Sequence, residues 1–284
     1  VLAIEQYPQL LKQILAESAY VDNPFIVVLT PGRFNSAYYE HSFLAREMDV
    51  PLVSARDLFV ENDKVYVRTL RRRQQVDVIY RRVDDAFLDP LCFKADSTLG
   101  VAGLMSAYLA HNVVISNAPG TGVADDKSIY PYVDKMIEYY LNEKPMLKNV
   151  PTYQCREHNA LEYVLENLEK LVVKEAQGSG GYGMLIGPQA SQKEIELFRK
   201  KLLATPHAYI AQPTLDLSVC PTLTHDGMAE RHIDLRPFVL SSPLRTEIVP
   251  GGLTRVAMQA GSLVVNSSQG GGIKDTWVVD TRRN

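Results

Sequence analysis

The sequence places a lysine at the end of an apolar run, Val172-Val173-Lys174, four residues before Gly178-Ser179-Gly180-Gly181-Tyr182-Gly183. The glycines fit G-x-G-x-x-G, a weak pattern when it stands alone. A dinucleotide fold needs such glycines to open a helix, yet Met184-Leu185-Ile186-Gly187-Pro188 follows, a short strand cut off by a turn. A Walker loop would carry Gly-Lys-Ser/Thr after the glycines, and a protein kinase carries its lysine on the strand behind them. Here the lysine comes first. A strand that delivers an ammonium, followed by a glycine hairpin with bare N–H groups, suits a lid over a nucleotide triphosphate. The alternative is an exposed glycine hairpin beside a solvated lysine.

Two further segments offer cations. Asn117-Ala118-Pro119-Gly120-Thr121-Gly122 runs into Val123-Ala124-Asp125-Asp126-Lys127, where Asp125 is a suitable cap and Lys127 falls in the first turn of a predicted helix. A cation there opposes the helix dipole at a cost of roughly a few tenths of a kcal/mol, a mild misfit that suits a lysine aimed at a ligand, although an ordinary solvated lysine is the stronger reading of this segment alone. Downstream, Asp234 and Arg236 share one face of the predicted strand Asp234-Leu235-Arg236-Pro237-Phe238-Val239, and Arg255 lies in Gly251-Gly252-Leu253-Thr254-Arg255-Val256. Two arginines on neighbouring strands can fork onto phosphate or carboxylate, or can form surface ion pairs.

The elements that must carry these residues fall into two textures. Leu10, Leu11, Ile14 and Leu15 recur at helical spacing, and the helix should end before Asn23-Pro24. Phe25-Ile26-Val27-Val28-Leu29 reads as a buried parallel strand, followed by a Pro31-Gly32 turn, a helix over 36–48 and a strand over 50–54. Segments 58–60 and 65–67 flank Glu61-Asn62-Asp63-Lys64 as a hairpin, and 76–80, 99–111 and 113–116 read as strand, helix and strand. From Asn117 onward helices over 126–141 and 160–168 give way to strands at 171–173, 209–211, 233–240, 246–249, 253–257 and 263–265, so this half is α+β.

The chain has 284 residues, enough for about two domains at roughly 150 residues each. Hydrophobic residues at 46% and charged residues at 22% exclude disorder, collagen and coiled coil. Thirty Lys and Arg against thirty-three Asp and Glu give a net charge of -3, which gives no global attraction to nucleic acid or anionic lipid. Three scattered cysteines, Cys92, Cys155 and Cys220, offer neither a disulfide framework nor a zinc knuckle, which fits a reducing cytoplasm. The apolar stretch 99–110 is too short for a membrane span, and Glu5, Lys12 and Glu17 argue against a signal peptide. The six histidines show no metal or triad spacing; Arg68 with Arg71-Arg72-Arg73 has no aromatic platform for RNA and reads as solvated. The opening at Val1 already reads as mid-domain helix, so a fragment of a longer protein is expected.

Taken in order, N-A-P-G-T-G-V-A-D-D-K (117–127), Lys174 before G-S-G-G-Y-G-M-L-I-G-P (178–188), Gln212 closing Y-I-A-Q, D-L-R-P-F-V (234–239), the R-V of 252–256 and V-V-N-S-S-Q-G-G-G (264–272) resemble circularly permuted ATP-grasp proteins related to glutathionylspermidine synthase. The resemblance covers about 23–279. It implies an α/β substrate-type lobe over 1–116, then a circularly permuted ATP-grasp domain over 117–284 with a lid at about 150–212. By the same resemblance the activity is an ATP-dependent carboxylate-amine ligase working through an acylphosphate, on small-molecule or peptide carboxylates and amines. A nucleotide-binding or scaffolding module without turnover is the rival.

Carried over residue by residue, Lys127 and Lys174 would contact the phosphates of ATP, and Gly178, Ser179, Gly180, Gly181, Tyr182 and Gly183 would close over them. Gln212 would sit in the hinge beside adenine. Arg236 and Arg255 would hold the γ-phosphate or acylphosphate, with Asp234 orienting Arg236. Asn266, with Gly270, Gly271 and Gly272, would border the reacting centre and substrate. Arg81 and Arg82, after the 76–80 strand, would bind an acidic substrate or else cap a solvated strand end. The family's Mg2+ ligands form a D-x(n)-E-x-N arrangement, which is absent here and expected upstream of Val1.

Overall fold

The computed structural model describes residues 2, 4–70, 72–178, 183–225, 227–266 and 270–279. They group into two compact units, one formed by Val1–Gly122, Pro237–Gly252 and Thr276–Asn284, the other by Val123–Arg236 and Leu253–Asp275. The fold class expected from the sequence, α/β with α+β, is the one observed.

The first unit is built on four parallel strands in the order Leu52–Val53, Ile26–Leu29, Val78–Arg81, Val114–Ser116. Every residue of Ile26–Leu29 is buried, as a strand covered on both faces requires. Helices Tyr7–Glu17 and Tyr38–Glu47 pack Leu11, Leu15, Leu44 and Ala45 against Ile26, Val28 and Val78. The opposite residues, Val27, Leu29 and Ile79, pack with Leu104 and Ala107 of helix Leu104–Leu109 and with Val65 and Val67 of a three-stranded antiparallel sheet. In that sheet Asn62 and Asp63 both take positive φ, the two-residue turn that joins Leu58–Glu61 to Lys64–Arg68.

The helix expected over 99–111 is shorter than its periodicity predicts. Gly103 has φ +83, outside the helical region, so the expected 99–111 helix begins only at Leu104. A Cβ on Gly100 would lie 2.0 Å from the Phe87 carbonyl oxygen, so this glycine is needed for close packing. The N-terminal helix ends at Glu17, before Asn23-Pro24 as expected, and Asn23 takes φ +53.

Segment 237–252 joins the first unit through specific contacts. Phe238 stacks on Tyr7 at 5.7 Å, Ser242 Oγ donates to Glu17 Oε2 at 2.7 Å, and Arg245 Nε donates to Glu17 Oε1 at 3.0 Å. The strands predicted at 246–249 and 253–257 are one strand, Thr246–Val256, despite Pro250-Gly251-Gly252, and 263–265 is irregular rather than a strand.

The second unit contains an antiparallel sheet in the order Leu185–Ile186, Leu171–Glu175, Tyr209–Pro213, Tyr153–Gln154. Leu171, Val173 and Ala211 point into a core closed by helices His158–Glu166 and Gln192–Ala204, through Val164, Phe198 and Leu202. The next residues along each strand therefore face the other way.

Candidate functional site

On that second face, the register sets Lys174 opposite Ile210, Ile210 opposite Gln154, and Val172 opposite Gln212. Lys174 Nζ donates to Gln212 Oε1 at 2.8 Å, and Gln212 Nε2 donates to Thr152 Oγ1 at 2.8 Å. Gln212 is buried and its amide is occupied at both ends, so in this geometry it fixes the lysine. Burial pushes the Lys174 ammonium below its ordinary value, and the nearby charge of Lys127 pushes the same way.

Lys127 begins the short turn Lys127–Ile129. Its cap is Asp126, not the expected Asp125: Asp126 Oδ1 accepts from Ser128 N at 2.9 Å and from Ser128 Oγ at 2.7 Å. Those bonds hold the Asp126 carboxyl below the usual carboxylate range. The Lys127 ammonium donates to the carbonyls of Glu175 at 3.2 Å, of Ala176 at 3.4 Å and of Gly178. Lys127 thus clamps the backbone that leads into the glycine loop. A Cβ on Gly178 would come within 2.9 Å of Glu175 Cβ, and one on Gly183 within 2.7 Å of Glu175 Oε1. At Gly178 the neighbour is Glu175 Cβ, which cannot swing away, whereas at Gly183 the requirement is the backbone, whose φ of +65 residues with side chains rarely adopt. Ser179, Gly180, Gly181 and Tyr182 lie outside the described residues.

Asp234 pairs with Arg255 rather than Arg236. Arg255 Nε donates to Asp234 Oδ1 at 2.8 Å, Nη2 bonds Asp234 Oδ2, and Nη1 bonds Asn266 Oδ1. The Arg255 side chain is 13% exposed, so the fork is largely shielded from water. Arg236 is exposed and has no hydrogen-bond or ion-pair partner among the described residues. Gly271 is held by packing: a Cβ there would lie 2.3 Å from the Val265 carbonyl oxygen, and Gly272 would meet Met258. Gly270 has φ +81.

Lys127, Lys174, Arg236, Arg255, Asp234 and Asn266 surround one cavity of about 790 Å³. That volume suits a small-molecule site. Asp125 and Glu175 also line it, but Asp234 is already committed to Arg255, leaving a surplus of positive charge suited to a polyanion. Among the described residues no three His, Cys, Asp or Glu side chains come together to hold a metal.

In the first unit, Arg81 and Arg82 are not equivalent. Arg81 is locked, with Nε on the Asn117 carbonyl at 2.6 Å, Nη1 on the Val83 carbonyl at 2.8 Å and Nη2 on Asp85 Oδ1 at 2.7 Å. It anchors the start of the 117–122 loop and has no free face for substrate. Arg82 pairs with Glu40 and reaches the Tyr80 hydroxyl at 3.4 Å, and its side chain is 29% exposed. It follows the Val78–Arg81 strand, and Thr30 follows the adjacent Ile26–Leu29 strand, at the point where the strand order reverses. Doubly wound sheets take ligands at such carboxyl ends. Thr30 Oγ1 lies 2.9 Å from Nδ1 of the buried His41, whose basicity is lowered by burial and then by the Arg82 charge. Thr30 and His41 carry no sequence pattern that would have found them. Burial and the neighbouring Tyr80 and Glu40 push the Tyr7 phenol up to about 12.

Residues 1–257 match the family described as circularly permuted ATP-grasp type 2. An uncharacterized protein of Mycobacterium tuberculosis is 54% identical over 284 residues, which cover 99% of this chain and 52% of that protein. A Frankia alni protein, named provisionally as a glutamate–cysteine ligase, is 43% identical over 281 residues, 98% of this chain and 32% of that protein. The larger part of the Frankia protein therefore lies outside the match, and its name belongs to the whole. The chain spans about half the length of the mycobacterial relative. A solved structure of a glutathione synthetase-like effector from Globodera pallida aligns with a TM-score of 0.53 at 11% identity, over 97% of this chain and 61% of that one, a likeness of fold.

Proposed function

The chain belongs to the circularly permuted ATP-grasp type 2 family, and on that premise we propose that it serves ATP-dependent ligation of a carboxylate to an amine. In this reading 1–116 supplies the substrate lobe, and 117–284, with a lid at 150–212, holds the nucleotide. A carboxylate oxygen attacks the γ-phosphorus of ATP, the bond to the β-phosphate oxygen breaks, and ADP leaves. The amine nitrogen then attacks the acyl carbon, the acyl–oxygen bond to phosphate breaks, and the nitrogen gives up a proton as phosphate departs. Both steps bring anions together, so oriented cations lower the barrier.

The observation that carries the reading is the convergence of Lys127, Lys174, Arg236 and Arg255 on one cavity. Lys174, held by Gln212, and Arg255, held by Asp234 and Asn266, are positioned before any ligand arrives. Arg236 is the unpaired cation available to the transferring phosphoryl group. Lys127 would exchange its loop carbonyls for phosphate oxygens or hold the loop start in place. In the first unit Arg82, at the carboxyl end of its strand, is the candidate for an acidic substrate. Three free cysteines suit a cytoplasmic setting.

The described residues do not fit a magnesium site, because Asp234 is spent on Arg255 and no third ligand joins the carboxylates near the cavity. No step above is routed through the metal. The second reading is a module that binds nucleotide without turnover, which would be favoured if the metal-binding segment expected upstream of Val1 were absent from the native protein. Release of ADP and phosphate that requires both a carboxylate and an amine supports ligation; nucleotide binding with no such release across added carboxylates and amines supports the second reading.

A further inference from the structure

A second cavity of about 510 Å³ lies in the same unit and shares Glu175, Gln177 and Gly178 with the cationic one. Its wall holds Gln154, on the edge strand Tyr153–Gln154, buried to 5% exposure. Neither end of the Gln154 amide has a hydrogen-bond partner among the described residues, and Oε1 is fully buried. Buried side-chain amides are rarely left unpaired. The rest of the lining divides into groups already committed and groups still open. Asp126 is occupied by Ser128 and by Gln177 Nε2 at 3.3 Å. Arg156 spends one N–H on the Tyr132 hydroxyl at 3.1 Å and keeps the others. The Glu175 carboxylate forms no hydrogen bond or ion pair among the described residues.

The groups still open include a guanidinium, a carboxylate and a primary amide, with the His207 imidazole and the Tyr209 hydroxyl beside them. We infer that this cavity binds a zwitterionic amino acid or short peptide, with its carboxylate on Arg156, its ammonium on Glu175 and a peptide group on Gln154. A nucleobase would satisfy the amide but leave both charges unanswered. The inference rests on the ligase reading in one respect, namely that the bound amine is the one to be acylated. Glu175 lines both cavities, so the ammonium it holds stands at the wall shared with the phosphate-binding space. Nothing in the sequence marks Gln154; it is one glutamine in a two-residue strand.

The test is calorimetric titration of the whole chain with glycylglycine, the smallest probe carrying all three groups, beside Gln154→Leu and Arg156→Met. Gln154→Leu keeps the volume and removes an unpaired amide, so the unliganded variant should melt at a higher temperature. Arg156 is exposed, so its variant should fold normally. The expected result is measurable binding to the wild type and at least tenfold weaker binding to each variant, with affinity for a nonhydrolysable ATP analogue within twofold of wild type. No binding of glycylglycine to the folded wild type, or equal binding by all three proteins, overturns the inference. Adenosine binding that is lost in Gln154→Leu, with no glycylglycine binding, overturns it in favour of a base pocket. Glycylglycine binding without analogue binding would count against the nucleotide reading and leave this one standing.

Discussion

Arg255 takes both oxygens of Asp234 with one edge of its guanidinium and turns another nitrogen to Asn266. A planar cation held on three sides presents a fixed direction to whatever enters the cavity beside it. This pairing separates the two arginines that the sequence offers there: Arg255 is immobilised, and Arg236 is free.

Removing Asp234 therefore leaves a shielded charge without its partner. Asp234→Ala should lower unfolding free energy by about 1–3 kcal/mol, below the full cost of a deeply buried pair because Asp234 is partly exposed. Arg236→Met should leave it unchanged within about 0.5 kcal/mol, as for a surface substitution. Urea unfolding of the three proteins measures both effects; equal losses would show that Arg236 also has a structural partner.

Lys174 gives the protein a pH signature. Its folded ammonium titrates below the unfolded value of 10.5, so between the two the unfolded chain holds more protons and stability rises with pH. Below the folded value both states are charged and the penalty is complete. The difference in stability between wild type and Lys174→Met should therefore change in favour of the wild type as pH climbs toward 10.5. Thermal melts of both proteins along an alkaline pH series read this difference, and a difference independent of pH would mean that the ammonium is not desolvated.

Arg81 and Arg82 should part company under the same substitution. Arg81→Met strips three backbone carbonyls and one carboxylate from a side chain that is 10% exposed, and should cost about 2–4 kcal/mol. Arg82→Met should cost less than about 1 kcal/mol, since its ion pair with Glu40 is half open to water. Its larger effect should fall on the KM for the acidic substrate. Unfolding free energies and steady-state kinetics together separate the two roles.

What the sequence reveals follows from what is local. Asn62-Asp63 between alternating runs specifies its own turn, and Val172-Val173-Lys174 before glycines specifies a strand that ends at a cation. The order of six short segments was enough to indicate the family. Partner choice is different, because Asp234 lies two residues from Arg236 on one strand and twenty-one from Arg255. Only the pairing of strands decides between them. Arg81 and Arg82 are indistinguishable as letters; alternation along Val78–Arg81 sends one toward the loop at Asn117 and leaves the other near Glu40. Gln154 and His41 are visible only once burial is known.

On the proposed function, the Lys174 cavity receives a nucleotide triphosphate. Calorimetric titration with a nonhydrolysable ATP analogue tests it most directly, comparing wild type with Lys174→Met. The expected result is saturable binding by the wild type and a loss of roughly 1–3 kcal/mol of charge-assisted contact in the variant, about tenfold to a hundredfold in affinity, with folding retained. Equal affinity in the two proteins, or no binding by the folded wild type, would contradict it.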